Sequence, residues 1–216
     1  MTVKETINKA HDALNGTYET YKEGLDAAVG LFEDAVRQAQ EQHLDGPDYQ
    51  ALVHDYADVL AEHWQFGPLY VARAEEYIAL DLSLCEKLYG PRHERTGKAH
   101  RLAGNFYLSL DRFAEAAPHF IESAAVLKAL YGEYGSRAGE DLSSAAYCYS
   151  EQGMYQRALD LNLMAYDISL KYPGNDYIHP QPLCFDISVL YRKLGNEPKC
   201  REFLDKYDEY EKQRKG

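Results

Sequence analysis

Side chains suited to recognition chemistry are concentrated at residues 91–112, which carry five Lys/Arg and two Asp/Glu in a chain of net charge −12. Arg101 and Asn105 are four residues apart, so a helix would present them on one face. An arginine offers a planar fork suited to a carboxylate, and an asparagine can hold a peptide backbone. The pattern favours a groove for an acidic segment or a free C-terminus. Alternatively, this basic helix pairs with the acidic helices before it.

Motifs for catalysis or metal binding are not recognisable in the sequence. No nucleophile, base and acid stand in a known arrangement, and there is no glycine-rich phosphate loop. The four cysteines (Cys85, Cys148, Cys184 and Cys200) form no C-x-x-C pair, and neither Cys nor His falls at zinc-ligand spacing. We therefore predict a protein that is not an enzyme, has no cofactor or metal, and keeps its thiols reduced in the cytoplasm.

The charge distribution argues against two classes of partner. Residues 1–90 carry 6 Lys/Arg and 17 Asp/Glu, whereas residues 91–216 carry 17 and 18, so the nets are −11 and −1. An acidic chain repels phosphate backbones, which predicts no nucleic-acid binding. No apolar run is long enough to span a bilayer, and the N-terminus shows no secretory signal. We expect no membrane partner.

A period of 42 residues organises the central part of the chain. Positions that match at this spacing are Gly90, Gly132 and Gly174, then Tyr107, Tyr149 and Tyr191, then Ala116 and Ala158, and then Asp111, Gly153 and Gly195. A fixed period of this length indicates stacked supersecondary units rather than one globular core.

Hydrophobic periodicity predicts helices throughout, with Asn15-Gly16 as a weak point in the first. The predicted helices are 3–22, 25–43, 48–65, 68–88, 93–109, 112–130, 137–151, 154–171, 180–193 and 196–213. No segment shows sustained period-two alternation, so no sheet is expected. The short connections predict antiparallel helical hairpins.

The repeat resembles the tetratricopeptide repeat (TPR), which pairs a small residue, two spacers and Tyr with Ala, three spacers and an aromatic. The matching segments are Gly104-x-x-Tyr107 with Ala116-x-x-x-Phe120, Ala146-x-x-Tyr149 with Ala158, and Ser188-x-x-Tyr191 with Cys200. The 42-residue period, the Gly90–His93 linker, His179-Pro180 and Pro118 are similar to kinesin-light-chain-type TPRs.

The resemblance implies an all-α, right-handed superhelical TPR solenoid of about five antiparallel helical hairpins. Residues 1–46 would form an N-terminal hairpin that is either a degenerate repeat or a cap. The TPR-like repeats would occupy 47–213, divided as 47–90, 91–132, 133–174 and 175–213, with 214–216 as a frayed tail.

The resemblance also implies a concave face, lined by the first helix of each hairpin, that binds a protein or peptide. The residues expected to bind the ligand there are Lys98, Arg101, Asn105, Ser144, Tyr147, His63, Tyr56, Val189 and Arg192. Ser143 and Ser150 are expected beside Tyr147, with Phe185 flanking them. The predicted function is thus a non-catalytic adaptor or scaffold.

Several forms of this function stay open at the level of sequence. An acidic peptide caught by Lys98, Arg101 and Asn105 would bind less tightly in salt, whereas an amphipathic helix would use apolar groups and tolerate it. A peptide-sensing regulator is another alternative. In a further alternative, self-assembly, the last hairpin with Phe203, Leu204 and Tyr207 would mediate a homodimer. A helical enzyme would be supported by a close His–carboxylate pair in a dry pocket.

Overall fold

The computed structural model describes residues 2–16, 18, 20–131, 135–174 and 177–215. These residues form ten α-helices and a short 3-10 helix at Trp64–Phe66, and none of them lies in a β-strand. The α-helices are α1 Val3–Leu14, α2 Tyr21–Glu41, α3 Pro47–Glu62, α4 Pro68–Tyr89, α5 Glu94–Ser109, α6 Phe113–Tyr131, α7 Ser136–Glu151, α8 Tyr155–Lys171, α9 Pro180–Lys193 and α10 Glu197–Lys215. The prediction of an all-α fold is confirmed.

The first predicted helix, 3–22, is too long at its C-terminal end. It ends at Leu14, and Asn15 caps it. The second helix starts earlier than predicted because Thr20 and Glu23 form a capping box, in which each side chain accepts the other residue's backbone N–H, at 3.3 and 3.2 Å. Such a box satisfies two of the donors that a helix start leaves free.

The turns between paired helices explain one recurring sequence position. Asp111, Gly153 and Gly195 stand 42 residues apart, and all three have positive φ, at 56°, 74° and 76°. Glycine takes this left-handed conformation without strain, and aspartate is among the few other residues that tolerate it. The repeat therefore conserves a backbone shape. Gly132, in the other recurring glycine position, lies outside the described residues.

The chain divides into two compact units, Met1–Gly90 and Pro91–Gly216. In the first unit α1 packs against α2 and α3 against α4, and α2 also contacts α3. Its core contains the fully buried side chains of Phe32, Leu52, Tyr56 and Leu60. That this N-terminal hairpin is either a degenerate repeat or a cap stays a prediction.

The second unit contains α5 to α10, and each helix packs against the next along the chain. Its core includes Phe106, Phe120, Leu183 and Ile187. The helices thus pack in neighbouring pairs, as expected for a helical-repeat solenoid. No helix in the described ranges is long and apolar enough to cross a bilayer.

The last hairpin differs from the expectation of an uncovered apolar face. Phe203 is only 5% exposed, because its ring lies 5.7 Å from the rings of both Tyr166 and Tyr191. Tyr207 is half-buried beside Phe185 at 5.8 Å. Of the three residues named for stacking on a second copy, only Leu204 is exposed, so the apolar area left for a homodimer here is small.

Candidate functional site

Seven of the nine predicted site residues belong to the second unit. They lie on the first helix of each hairpin: Lys98, Arg101 and Asn105 on α5, Ser144 and Tyr147 on α7, and Val189 and Arg192 on α9. The other two, Tyr56 and His63, belong to the first unit.

Arg101 is held by an internal ion-pair network. Its guanidinium donates to Glu140 Oε2 at 2.9 Å, to Asp141 Oδ2 at 2.8 Å and to the Arg137 carbonyl at 3.2 Å. The Arg101 side chain is 16% exposed and that of Asp141 is 2% exposed. These partners lie on α7, the helix after the next, so the pairing of Arg101 runs forward along the chain within the second unit. The fork that suits a ligand carboxylate already holds two carboxylates of the protein.

Asp141 is the buried centre of this network. The Ser123 hydroxyl donates to its Oδ2 at 2.8 Å, so α6 is tied to α7 at the same atom that accepts from Arg101. Desolvation raises the pKa of Asp141 to about 6, although the Arg101 charge and the Ser123 hydrogen bond lower it. The network links α5, α6 and α7, and its role is therefore to hold these helices together.

Beside this network is an open cleft of about 220 Å³ at the start of α5. Its lining includes Lys98, Arg101, Tyr131 and Arg137. Lys98 is 57% exposed and pairs with Glu94 at 2.8 Å, within its own helix. Asn105 is exposed but is not part of the lining. Of the three residues grouped on α5, Lys98 and Arg101 line this cleft and Asn105 does not.

A second cleft of about 220 Å³ lies between α7 and α9, and we call it the aromatic cleft. Its lining is formed by Ser143, Ala146, Tyr147, Ser150, Glu151, Asn162, Phe185, Asp186, Val189 and Leu190. Tyr147 and Phe185 are 51% and 49% exposed. Tyr147 also makes an edge contact with Phe113 at 5.8 Å. The structure thus brings five residues of the predicted surface together here, whereas Ser144 and Arg192 lie outside the lining.

The lining also contains polar residues that the sequence analysis missed. Asn162 on α8 is 4% exposed, and its side-chain oxygen has no hydrogen-bond partner. Glu151 and Asp186 add two carboxylates. The 42-residue period could have pointed to Asn162. It stands 42 residues after Phe120, the aromatic residue of the preceding TPR signature, so a polar residue takes a position that is aromatic in that repeat.

Tyr56 does not offer its side chain to a ligand, contrary to expectation. It is fully buried, with its ring 5.4 Å from that of Phe32 and 4.5 Å from that of Tyr77. Its hydroxyl donates to Glu33 at 3.2 Å. Desolvation raises the pKa of Tyr56. Tyr56 is a core residue because the stripe that packs α3 against its neighbours runs through it.

His63 is likewise engaged within the first unit. Its Nδ1–H donates to the Val59 carbonyl at 2.6 Å, which leaves Nε2 to accept from the Tyr21 hydroxyl at 2.5 Å. The side chain is 8% exposed and stacks on Tyr21 at 5.6 Å. Both ring nitrogens are satisfied, so His63 joins α2 to the end of α3 and does not line an open surface.

A close His–carboxylate pair lies between His54 Nδ1 and Asp81 Oδ2, which are 2.6 Å apart. Asp81 is 1% exposed, and its other oxygen accepts from Gln50 at 2.6 Å and from the Cys85 thiol at 3.6 Å. The thiol thus contacts the carboxylate that His54 also contacts. Within the described ranges, no cluster of three or more His, Cys, Asp or Glu could hold a metal ion.

Residues 97–171 match the sequence model of the tetratricopeptide repeat family. This segment contains Arg101, Tyr147 and Asn162. Comparison with curated protein sequences gives no significant match.

Solved structures share the fold at low sequence identity. One is BtubC (BKLC) from P. vanneervenii, 16% identical over 100% of this chain and 93% of that chain, with a TM-score of 0.69. Another is a Podosopora anserina putative kinesin light chain with nearly identical TPR-like repeats, 17% identical over 98% of this chain and 96% of that chain, with a TM-score of 0.71.

A third structure is a Rap protein complexed with competence and sporulation factor. It is 14% identical over 96% of this chain and 64% of that chain, with a TM-score of 0.55. At such identities the likeness shows the fold alone. Together with the match at residues 97–171, these comparisons confirm the predicted resemblance: the protein has the fold of TPR-like helical-repeat proteins, kinesin-light-chain-like ones among them, and residues 97–171 match the tetratricopeptide repeat model.

Proposed function

We propose that the protein is a non-catalytic scaffold that binds a peptide or protein segment in the aromatic cleft of the second unit. The observation that carries this proposal is the pair of aromatic rings, Tyr147 and Phe185, each about half exposed in one concavity. Aromatic residues supply much of the binding energy of protein interfaces because they bury a large area with few rotatable bonds.

The rest of the lining suits a chain segment. Ser143 and Ser150 are small and leave room beside Tyr147, while their hydroxyls can donate to or accept from a peptide backbone. Val189 and Leu190 add apolar area on the α9 side. The Rap protein of similar fold, which is complexed with a factor, supports the idea that such a fold accommodates a bound partner.

The α5 cleft supports binding of an acidic segment less well. Lys98 is exposed and pairs with Glu94 of its own helix, whereas the Arg101 guanidinium is already bound to Glu140 and Asp141. A ligand carboxylate would have to displace a protein carboxylate from a nearly buried site, which costs desolvation without a new partner. We therefore place the main binding surface at the aromatic cleft.

Affinity capture from a lysate of the source cells, followed by cross-linking mass spectrometry, tests this function. The test variant is Tyr147→Ser/Phe185→Ser. The matched control is Met164→Ser/Leu170→Ser, which removes two similarly exposed apolar side chains from α8. Partners should be retained by wild type and control, cross-link to α7 or α9, and be lost with the cleft variant. Retention of the same partners by all three proteins would contradict the proposal.

A further inference from the structure

The aromatic cleft exists because one repeat departs from the packing of the repeat before it. In the first copy, Phe120 is buried against Gly104, and a Cβ built on that glycine would lie 3.0 Å from the ring. In the second copy the corresponding residues are Ala146 and Asn162. The methyl group of Ala146 takes the space that a ring would need. A short polar side chain therefore replaces the aromatic wedge.

The replacement leaves a polar group unsatisfied at the cleft wall. Asn162 is 4% exposed, lines the cleft, and its carboxamide oxygen accepts no hydrogen bond. Buried amides in proteins nearly always have partners, and an exception calls for an explanation. Rotation about the terminal torsion of asparagine is soft, so the same amide presents its oxygen to a donor that enters the cleft.

The charges of the lining specify which donor fits. Glu151 and Asp186 contribute carboxylates, and none of the described residues of the lining is a lysine or arginine. The rings of Tyr147 and Phe185 add electron-rich faces, which attract a cation. All of these groups, together with the Asn162 oxygen, favour a positively charged ligand that donates hydrogen bonds.

We propose that the aromatic cleft binds a lysine or arginine side chain carried by a segment of a partner protein. The apolar stem packs against Tyr147 and Phe185, and the charged head donates to Glu151, Asp186 and Asn162. This inference rests on the proposed function and gives the ligand a charge opposite to the acidic peptide first expected at α5. It is argued from charge complementarity and from the unsatisfied amide.

The probe is a pair of synthetic peptide pools that differ in one residue. Both pools have randomised positions around a fixed centre, which is arginine in one pool and its neutral isostere citrulline in the other. Each pool is passed over the immobilised full chain, and retained peptides are quantified by mass spectrometry. We expect wild type to retain arginine peptides at least about tenfold better than citrulline peptides, as for charge-assisted hydrogen bonds.

Two variants and a control locate the effect. Glu151→Gln/Asp186→Asn should abolish the preference for arginine. Ala146→Gly/Asn162→Phe, which transplants the residue pair of the preceding repeat, should fill the cleft and abolish retention. The control Glu122→Gln/Asp167→Asn makes the same change of net charge at exposed positions outside the lining and should behave like wild type. Circular dichroism verifies that each variant is folded.

The outcomes separate this inference from the proposed function. Equal retention of the two pools by wild type, with loss in Tyr147→Ser/Phe185→Ser, overturns the basic ligand but leaves a peptide-binding cleft. A preference for arginine that survives Glu151→Gln/Asp186→Asn places the cation elsewhere and also overturns it. Retention of neither pool by wild type contradicts both proposals.

Discussion

The Arg101 guanidinium on α5 and the Asp141 carboxylate on α7 are joined at 2.8 Å across α6, and Ser123 of α6 donates to the same oxygen. The contact makes a residue expected to bind a ligand into a tie between helices of the second unit. It also means that substitution of Arg101 changes the stability of the fold as well as any binding.

Removing the arginine should destabilise the second unit strongly. Arg101→Met leaves the buried Asp141 without its cation, and breaking a buried pair in this way costs about 3–5 kcal/mol. Arg101→Met/Asp141→Leu should recover most of the loss, because no unpaired charge remains. Urea denaturation followed by far-UV circular dichroism measures both. Lys98→Met, at an exposed pair, should change stability far less; similar losses at Lys98 and Arg101 would show that the network is not buried in solution.

Acid should weaken the packing of α5 against α6 through a histidine pair. His119 Nδ1 lies 3.0 Å from His100 Nδ1, and desolvation, with the His100 charge, lowers the pKa of His119 to about 4. The unfolded chain takes up this proton near the ordinary pKa of 6.5. The contribution of His119 to the stability of the fold is therefore complete above pH 6.5. The free energy of unfolding should fall as the pH is lowered from 6.5 to 4, by up to about 3 kcal/mol.

Hydrogen exchange of peptides from α5 and α6, measured across this pH range, tests the expectation. His119→Phe retains a ring against Tyr107, which stacks on His119 at 5.7 Å, but cannot be protonated. The variant should lose this part of the pH dependence. An unchanged slope in His119→Phe would assign the effect to other groups.

The first unit should respond to pH in the opposite sense. The hydrogen bond to Asp81 is the main cause that raises the pKa of His54, while desolvation opposes it. Folded His54 keeps its proton at pH values where the unfolded chain has lost it. The contribution to stability is therefore complete below the ordinary pKa of 6.5 and is lost as pH rises through the folded value.

Fluorescence of Trp64, the single tryptophan, reports on the first unit during urea denaturation. Stability measured this way should decline from pH 6.5 toward alkaline values. In His54→Gln that decline should disappear, because glutamine can still donate to Asp81 but does not titrate. A decline of equal size in the variant would contradict the assignment.

Gly104→Ala should destabilise the protein although alanine is the better helix former. The helical preference gains about 1 kcal/mol, but the added methyl group would meet the buried Phe120 ring at 3.0 Å, and overpacking of this kind costs about 1–3 kcal/mol. Gly30→Ala is the matched control, since nothing lies within 4 Å of a Cβ at that helical position. Thermal unfolding should show a lower midpoint for Gly104→Ala and a higher one for Gly30→Ala; stabilisation by both would mean that the ring can move aside.

The helices, most of their ends and their pairing could be predicted because the determinants are local. Proline at the start of α3, α4 and α9 and the positive-φ positions at Asp111, Gly153 and Gly195 fix where helices begin and end. The 42-residue period carries the repeat. The capping boxes at Thr2 and Thr20 were overlooked, and both are visible in the sequence.

The site depended on tertiary structure, because periodicity shows which face of a helix is apolar but not which atoms of another helix that face meets. In the sequence, Tyr56 and Tyr147 are both aromatic positions on the first helix of a hairpin. In the structure, Tyr56 is fully buried and Tyr147 is half exposed. Arg101 was predicted to bind a ligand carboxylate, and only the folded chain shows that it pairs with Glu140 and Asp141. The sequence by itself therefore determined the repeat and the fold, whereas the partners of each polar group, and with them the position of the open cleft, were decided by how neighbouring helices pack.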